Sequence, residues 1–304
     1  MAYVIETCGL TKRYGGVTAV SDLSLRVEAG RVFGFLGPNG AGKSTTIRML
    51  MALQRPTEGR ATVLGLDVAA DSVAVHRRVG YLPGDLELYP RMTGREHVDW
   101  FARSRGGVDG SFISGLLERF AVVADRPVRE LSKGNRQKIG LILAFMHKPE
   151  LLVLDEPTSG LDPLMQHEFE NLLREMTGEG STVFLSSHEL DEVQRVADRI
   201  AIIREGRLVA EDTVEGLRRA APQRMEVRFA RPVDPAGLQA LAGVTVTATD
   251  GPRVALDVTG EIGPVLRLIA SHDPVDLTCR PADLDELFLD FYRQPPEKEV
   301  SHAD

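Results

Sequence analysis

The chain has 304 residues, enough for one large domain and a small one with a sizeable core. Its 36 Lys+Arg against 44 Asp+Glu give a formal net charge of -8, which argues against a surface that wraps nucleic acid. Cys8 and Cys279 stand far apart without a C-x-x-C partner, so they predict a reducing compartment, no disulfide framework and two ordinary buried small side chains. No signal peptide, lipidation box or run of 18 apolar residues is present, and the longest apolar run, Ile139 to Met146, is too short to span a bilayer. Any membrane role is therefore expected to pass through a partner.

Val4-Ile5-Glu6-Thr7 begins a strand, and Val17 to Val27 continues a sheet through the alternation of Val20, Leu23, Leu25 and Val27. Between them lies Lys12-Arg13-Tyr14-Gly15-Gly16. An aromatic on such a turn can stack on a base or pack half-buried on the sheet, and the local residues leave both open. Val32-Phe33-Gly34-Phe35-Leu36 reads as a buried strand and Ser44 to Leu53 as a helix. They flank Gly37-Pro38-Asn39-Gly40-Ala41-Gly42-Lys43-Ser44-Thr45, which fits the phosphate-binding pattern G-x-x-x-x-G-K-[ST]. The glycines let successive N–H groups turn inward on phosphate oxygens, and the helix dipole adds partial positive charge there. Lys43 is expected to reach the β- and γ-phosphates and the Ser44 hydroxyl to ligate Mg²⁺.

Arg60 to Leu64 is a further strand, and another ends at Val79-Gly80-Tyr81-Leu82-Pro83. Thr93 with Glu96 forms a capping box ahead of Val98, Trp100 and Phe101, and Ser111 to Phe120 reads as a second helix. His76 and His97 lack metal-ligand spacing and predict packing or solvated roles. Leu131-Ser132-Lys133-Gly134-Asn135-Arg136-Gln137 opens a helix to about His147, with Ser132 as N-cap. Leu151-Leu152-Val153-Leu154-Asp155-Glu156 is a buried strand ending in two acids, the pattern of a parallel sheet with its ligand at that edge. Asp155 is placed to hold a Mg²⁺-bound water and Glu156 to act as general base on the attacking water. After a tight turn, Asp162 caps the next helix, with Pro163 in its first position. Ser181 to Leu185 is a strand ending at Ser186-Ser187-His188-Glu189, which puts His188 at the same sheet edge as a γ-phosphate contact. Ile200 to Ile203 and Arg207 to Ala210 pair about Glu205-Gly206.

Taken together, Tyr14, Gly37 to Thr45, Leu131 to Gln137, Leu151 to Glu156, Ser159 to Asp162 and His188 resemble, in that order, the A-loop, Walker A, signature, Walker B, D-loop and H-loop of the ATP-binding cassette (ABC) ATPases. The resemblance covers about residues 3 to 218 and is nearest to the ATP-binding subunits of bacterial drug and antibiotic exporters. It implies an α/β P-loop NTPase core over 1–220 with a helical subdomain at about 86–148, binding ATP and Mg²⁺. It also implies a head-to-tail homodimer, or pairing with a related ATPase subunit. In that pair Ser132, Lys133, Gly134 and Asp162 serve the nucleotide of the opposing protomer, while Glu156, His188 and Lys43 act on the chain's own. The implied function is ATP hydrolysis powering export of a drug, antibiotic or lipid-like substrate through a separate integral membrane permease. The chain would then sit in the cytoplasm on the inner face of the membrane, without nucleic acid. The alternative is a soluble ABC ATPase of the translation or repair type, which the single cassette and the acidic balance disfavour. Two motifs depart from the family pattern. Gly84 replaces the usual Gln, with Asp85 as the nearest substitute metal ligand, and in the signature Lys133 and Asn135 replace the first Gly and the Gln.

The tail reads as strand 225–229, helix 235–242, strand 244–249, strand 253–258, helix 262–271, strand 275–280 and helix 282–292, a βαββαβ order that predicts a small α+β ferredoxin-like domain over 223–294. Leu284, Leu287, Phe288, Phe291 and Tyr292 form a core-like stripe on its last helix, and 295–304 reads as a flexible tail.

Overall fold

The computed structural model of the protein describes residues 2–220 and 222–280, with side chains for all of these except 218–220. The predicted helix 282–292 with its apolar stripe, and the tail 295–304, lie outside the described residues. The chain divides into two compact units, Met1–Glu211 and Asp212–Asp304, a division that falls before the expected boundary at 220–223.

The first unit opens with long strands β1 (Tyr3–Tyr14) and β2 (Val17–Glu28), then β3 (Val32–Leu36) and α1 (Lys43–Leu50). Next come β4 (Glu58–Val63), β5 (Leu66–Asp67), α2 (Ser72–Arg78) and β6 (Val79–Leu82). A helical stretch follows: α3 (Gly94–Ser104), α4 (Gly110–Arg119), a short 3-10 turn at Val128–Glu130 and α5 (Lys133–Phe145). It is completed by β7 (Leu151–Asp155), α6 (Pro163–Gly178), β8 (Thr182–Ser187), α7 (Leu190–Val196), β9 (Arg199–Arg204) and most of β10 (Arg207–Thr213). The expected caps are present. Thr93 and Glu96 form the capping box of α3, Ser132 caps α5, and Asp162 caps α6 with Pro163 following.

Two sheets result, an antiparallel one in the order β2-β1-β4-β5 and a six-stranded one in the order β10-β9-β3-β8-β7-β6. Strands β9, β3, β8, β7 and β6 run parallel. The three central strands β3, β7 and β8 are buried along their whole length, which is why they read as unbroken apolar runs. Alternate residues feed two cores. Phe33, Phe35, Val153 and Phe184 pack with α1 and the antiparallel sheet, while Val32, Leu152, Leu154 and Leu185 pack with α5 and α6. Phe33 and Phe184 stack at 5.8 Å between ring centroids.

The second unit contains α8 (Val214–Ala220), β11 (Gln223–Phe229), α9 (Ala236–Gln239), β12 (Val244–Asp250), β13 (Arg253–Val258), α10 (Gly263–Ala270) and β14 (Pro274–Arg280). Its sheet order, β12-β13-β11-β14, is antiparallel throughout, the arrangement of a split βαββαβ fold. Met225, Val227, Leu256, Val265 and Ile269 form its separate core.

The expectation of two buried cysteines is not met, because Cys8 and Cys279 are both exposed. Cys8 falls on the outward phase of β1, next to the inward Thr7, and strand alternation rather than residue type decides its exposure.

Candidate functional site

The parallel register assembles the site. Leu36 lies opposite Ser187, and Asp155 opposite Ser186, so the C-terminal ends of β3, β8 and β7 stop side by side. The three loops that leave those ends carry the P-loop, His188 and Glu156, at the edge where parallel sheets bind ligands.

Gly40 and Gly42 have φ of 83° and 108°, left-handed values that glycine reaches without strain. A Cβ on Gly42 would meet the Ala19 carbonyl oxygen at 2.5 Å, whereas nothing lies within 4 Å of one on Gly40, so the loop stays open on its inner side. The Lys43 side chain is only 5 % exposed and donates to the carbonyl oxygens of Gly37 at 2.7 Å and Pro38 at 3.3 Å. Its Nζ stands 3.5 Å from Glu156 Oε1. Burial lowers the lysine's pKa, and the charges of Glu156 and Asp155 offset part of that. Asp155 is 3 % exposed and accepts a 2.5 Å hydrogen bond from the Ser186 hydroxyl. Glu156 Oε1 is 3.2 Å from His188 Nδ1. Pro38, Asn39, Gly40, Gly42, Lys43, Ser44, Thr45, Glu156 and Ala19 line one cavity of about 150 Å³.

The donors fit a nucleotide polyphosphate: a buried ammonium and a glycine loop at a helix N-terminus. Ser44 and Asp155 are hard oxygen ligands, suited to a cation that keeps waters and phosphate oxygens. Among the described residues no group of three His, Cys, Asp or Glu could hold a metal by itself.

Tyr14, at the end of β1, is exposed, with its hydroxyl on Gln54 Oε1 and Lys12 Nζ 5.2 Å from its ring centroid. Ser132, Lys133, Gly134 and Asp162 are absent from the lining of the P-loop cavity. Ser132 accepts from Asn135 N–H, Lys133 donates to Ser159 Oγ at 2.9 Å, and Asp162 accepts from Met165 N–H. Asp85 is likewise outside the cavity. Its side chain is 87 % exposed and pairs with Arg48 at 3.0 Å, so this carboxylate has a partner other than the P-loop residues. Gly84 abuts Walker B instead, since a Cβ there would stand 3.0 Å from Asp155 Oδ2.

Sequence reasoning missed Ser186, Gln137 and Glu192. Gln137 Nε2 donates to the carbonyl oxygens of Glu156 and Pro157, and the Glu192 carboxylate accepts from the hydroxyls of Thr158 and Ser187. The available signal was two serines ending an otherwise apolar buried strand, where polar groups require partners.

The profile of the family described as ABC transporter matches residues 20–159. The daunorubicin resistance ATP-binding protein DrrA3 of Streptomyces coeruleorubidus is 38% identical over 304 residues, covering 94% of each chain. The bacitracin transport ATP-binding protein BcrA of Enterococcus faecalis is 38% identical over 220 residues, covering 71% of each. Among solved structures, an ATP binding subunit of an ABC transporter superposes with a TM-score of 0.65 at 30% identity, over 71% of this chain and 92% of that one. The fold is shared as well with the dimeric ABC transporter cassette MJ0796, at a TM-score of 0.64 and 23% identity over 69% of this chain and 98% of that one. With this likeness extending beyond the cassette into the second unit, and with a P-loop, two strand-end acids and a histidine at one sheet edge, the chain belongs to the ATP-binding, ATP-hydrolysing subunits of the ABC transporter family.

Proposed function

We propose that the chain powers export of a drug, antibiotic or lipid-like compound through a separate membrane permease, hydrolysing ATP at a site completed by a second copy or a related ATPase subunit. The observation that carries the reading is the Lys43, Glu156 and His188 cluster, of which Lys43 and Glu156 line the P-loop cavity and His188 contacts Glu156. Lys43 binds the β- and γ-phosphates. An incoming phosphate competes with Glu156 for the ammonium and leaves the carboxylate free to take a proton from the attacking water. His188, in contact with Glu156, orients that carboxylate and meets the γ-phosphate. Ser44 and Asp155 would hold Mg²⁺, which neutralises charge on the phosphates when bound. Tyr14 stacks on the base.

Ser132, Lys133 and Gly134 open α5, and Asp162 opens α6. These backbone donors stand away from the chain's own P-loop cavity, which fits service to an opposing nucleotide. The permease has a fitting surface in a separate cavity of about 720 Å³, lined by Leu86, Leu88, Tyr89, Pro90, Trp100 and Phe101 among others. Tyr89 and Trp100 on its lining are 62% and 50% exposed, adjoining apolar area open to a partner. No helix among the described residues is long and apolar enough to cross a membrane, and docking on the permease places the chain at the inner membrane face. Co-expression with a candidate membrane permease tests the reading. A stable complex whose ATP turnover rises with the transported compound supports it, and transport that persists with Glu156→Gln contradicts it.

A further inference from the structure

We infer that Gln137, on the signature helix α5, is a positioning residue for ATP hydrolysis: its side-chain amide holds the backbone of Glu156 in the conformation that presents the carboxylate. The inference rests on the reading of Glu156 as general base. Glu156 has φ of 49°, in the left-handed region that is uncommon for residues with a side chain. Such a conformation persists only where the surroundings over-determine it.

Those surroundings are few and specific. The Glu156 N–H donates to the Ser186 carbonyl oxygen at 3.1 Å and approaches Ser186 Oγ at 3.3 Å. On the other side the Glu156 carbonyl oxygen accepts from Ser159 N–H at 3.2 Å and from Gln137 Nε2 at 3.3 Å, and Gln137 Nε2 also donates to the Pro157 carbonyl oxygen at 2.9 Å. Two carbonyl acceptors require the amide NH₂, so the orientation of the Gln137 side chain is fixed by its partners. Gln137 is 6% exposed, and its polar end has been taken out of water to make these two bonds. A glutamate of the same length would aim a carboxylate at two carbonyl oxygens, and a methionine would leave both without this donor.

The same helix touches the turn after Glu156 at two further points. Lys133 Nζ donates to Ser159 Oγ at 2.9 Å, and a Cβ on Gly134 would stand 2.6 Å from the Gly160 carbonyl oxygen. The N-terminus of α5 and the 156–160 turn are therefore packed directly against each other. A phosphate from an opposing subunit that seats on Ser132 and Gly134 shifts, through Gln137, the backbone that carries the chain's own general base.

The test compares Gln137→Met and Gln137→Glu with the parent protein, each alone and combined with Glu156→Gln. ATP turnover, KM, nucleotide affinity and melting temperature are measured on purified full-length chains. We expect kcat to fall about tenfold or more in Gln137→Met and further in Gln137→Glu, with KM and nucleotide affinity close to the parent's. On the Glu156→Gln background the same changes are expected to lower kcat by less than about twofold, because both act through one carboxylate. A parental kcat in either folded single variant, or a loss that multiplies in full on Glu156→Gln, overturns the role of Gln137. Parental turnover in Glu156→Gln alone overturns the general-base reading instead, whatever Gln137 does.

Discussion

At the scale of single residues, the site depends on one buried ammonium. Lys43 has carbonyl oxygens on one side and Glu156 on the other, with its solvation removed and its charge only partly matched. Lys43→Ala is expected to weaken ATP binding, and an unchanged affinity in a nucleotide titration would remove the residue from its role. Glu156→Gln is expected to keep ATP binding and lower turnover by about a hundredfold or more, the range of a lost general base. Asp85→Ala should leave the Mg²⁺ dependence of turnover unaltered, since Asp85 faces Arg48, and a shift in the Mg²⁺ midpoint would restore it as a ligand. His147 gives a pH signature of stability rather than of catalysis. Burial, with the nearby Arg105 charge, holds its pKa at about 4 against the ordinary 6.5, and its Nδ1 has no hydrogen-bond partner. The unfolded chain therefore binds more protons between those values. The contribution is complete above the ordinary value and drains away as pH falls toward 4. Calorimetry of His147→Gln should show a smaller acid-induced loss, on the order of 2 kcal/mol for this partly exposed ring.

At the scale of elements, α3 and the loop before it carry the exposed aromatics Trp100 and Tyr89, which face the permease in the proposed docking. Trp100→Asp should leave ATP turnover of the isolated chain near the parent's and abolish stimulation by the permease. Retained stimulation would move the docking surface elsewhere. The elements that build the site were legible because each carries a local signal of its own. β3, β7 and β8 are unbroken apolar runs, and α3, α5 and α6 announce themselves by caps at Thr93, Ser132 and Asp162. The short helices α2 and α7 were not foreseen. Each has seven residues, α2 buries Val75 alone, and neither has a side-chain cap, so fewer than two full turns carry the helical pattern. Among site residues, those defined by backbone conformation or sequence spacing could be read directly. Gln137, Ser186 and Glu192 could not, because their roles come from contacts across 19, 31 and 34 positions that only the folded chain creates.

At the scale of the whole molecule, the proposed pairing gives the chain two halves of two different reaction centres. One half is the P-loop with Glu156 and His188, and the other is the start of α5 with Ser132, Lys133 and Gly134. The second unit has its own core and an antiparallel sheet, and the likeness to DrrA3 extends through it. Head-to-tail pairing brings unlike halves together across a two-fold axis. Mixing two disabled chains tests this most directly. Glu156→Gln removes the base from one half, while Ser132→Asp keeps a capping oxygen on α5 but sets a negative charge against the opposing phosphate. Each variant alone should be nearly inactive. Together they should recover roughly a quarter of parental ATP turnover, because half of randomly formed pairs are mixed and each mixed pair holds one undamaged site of two. If every reaction centre belonged to a single chain, the mixture would stay as inactive as its components, and that result would contradict the shared site.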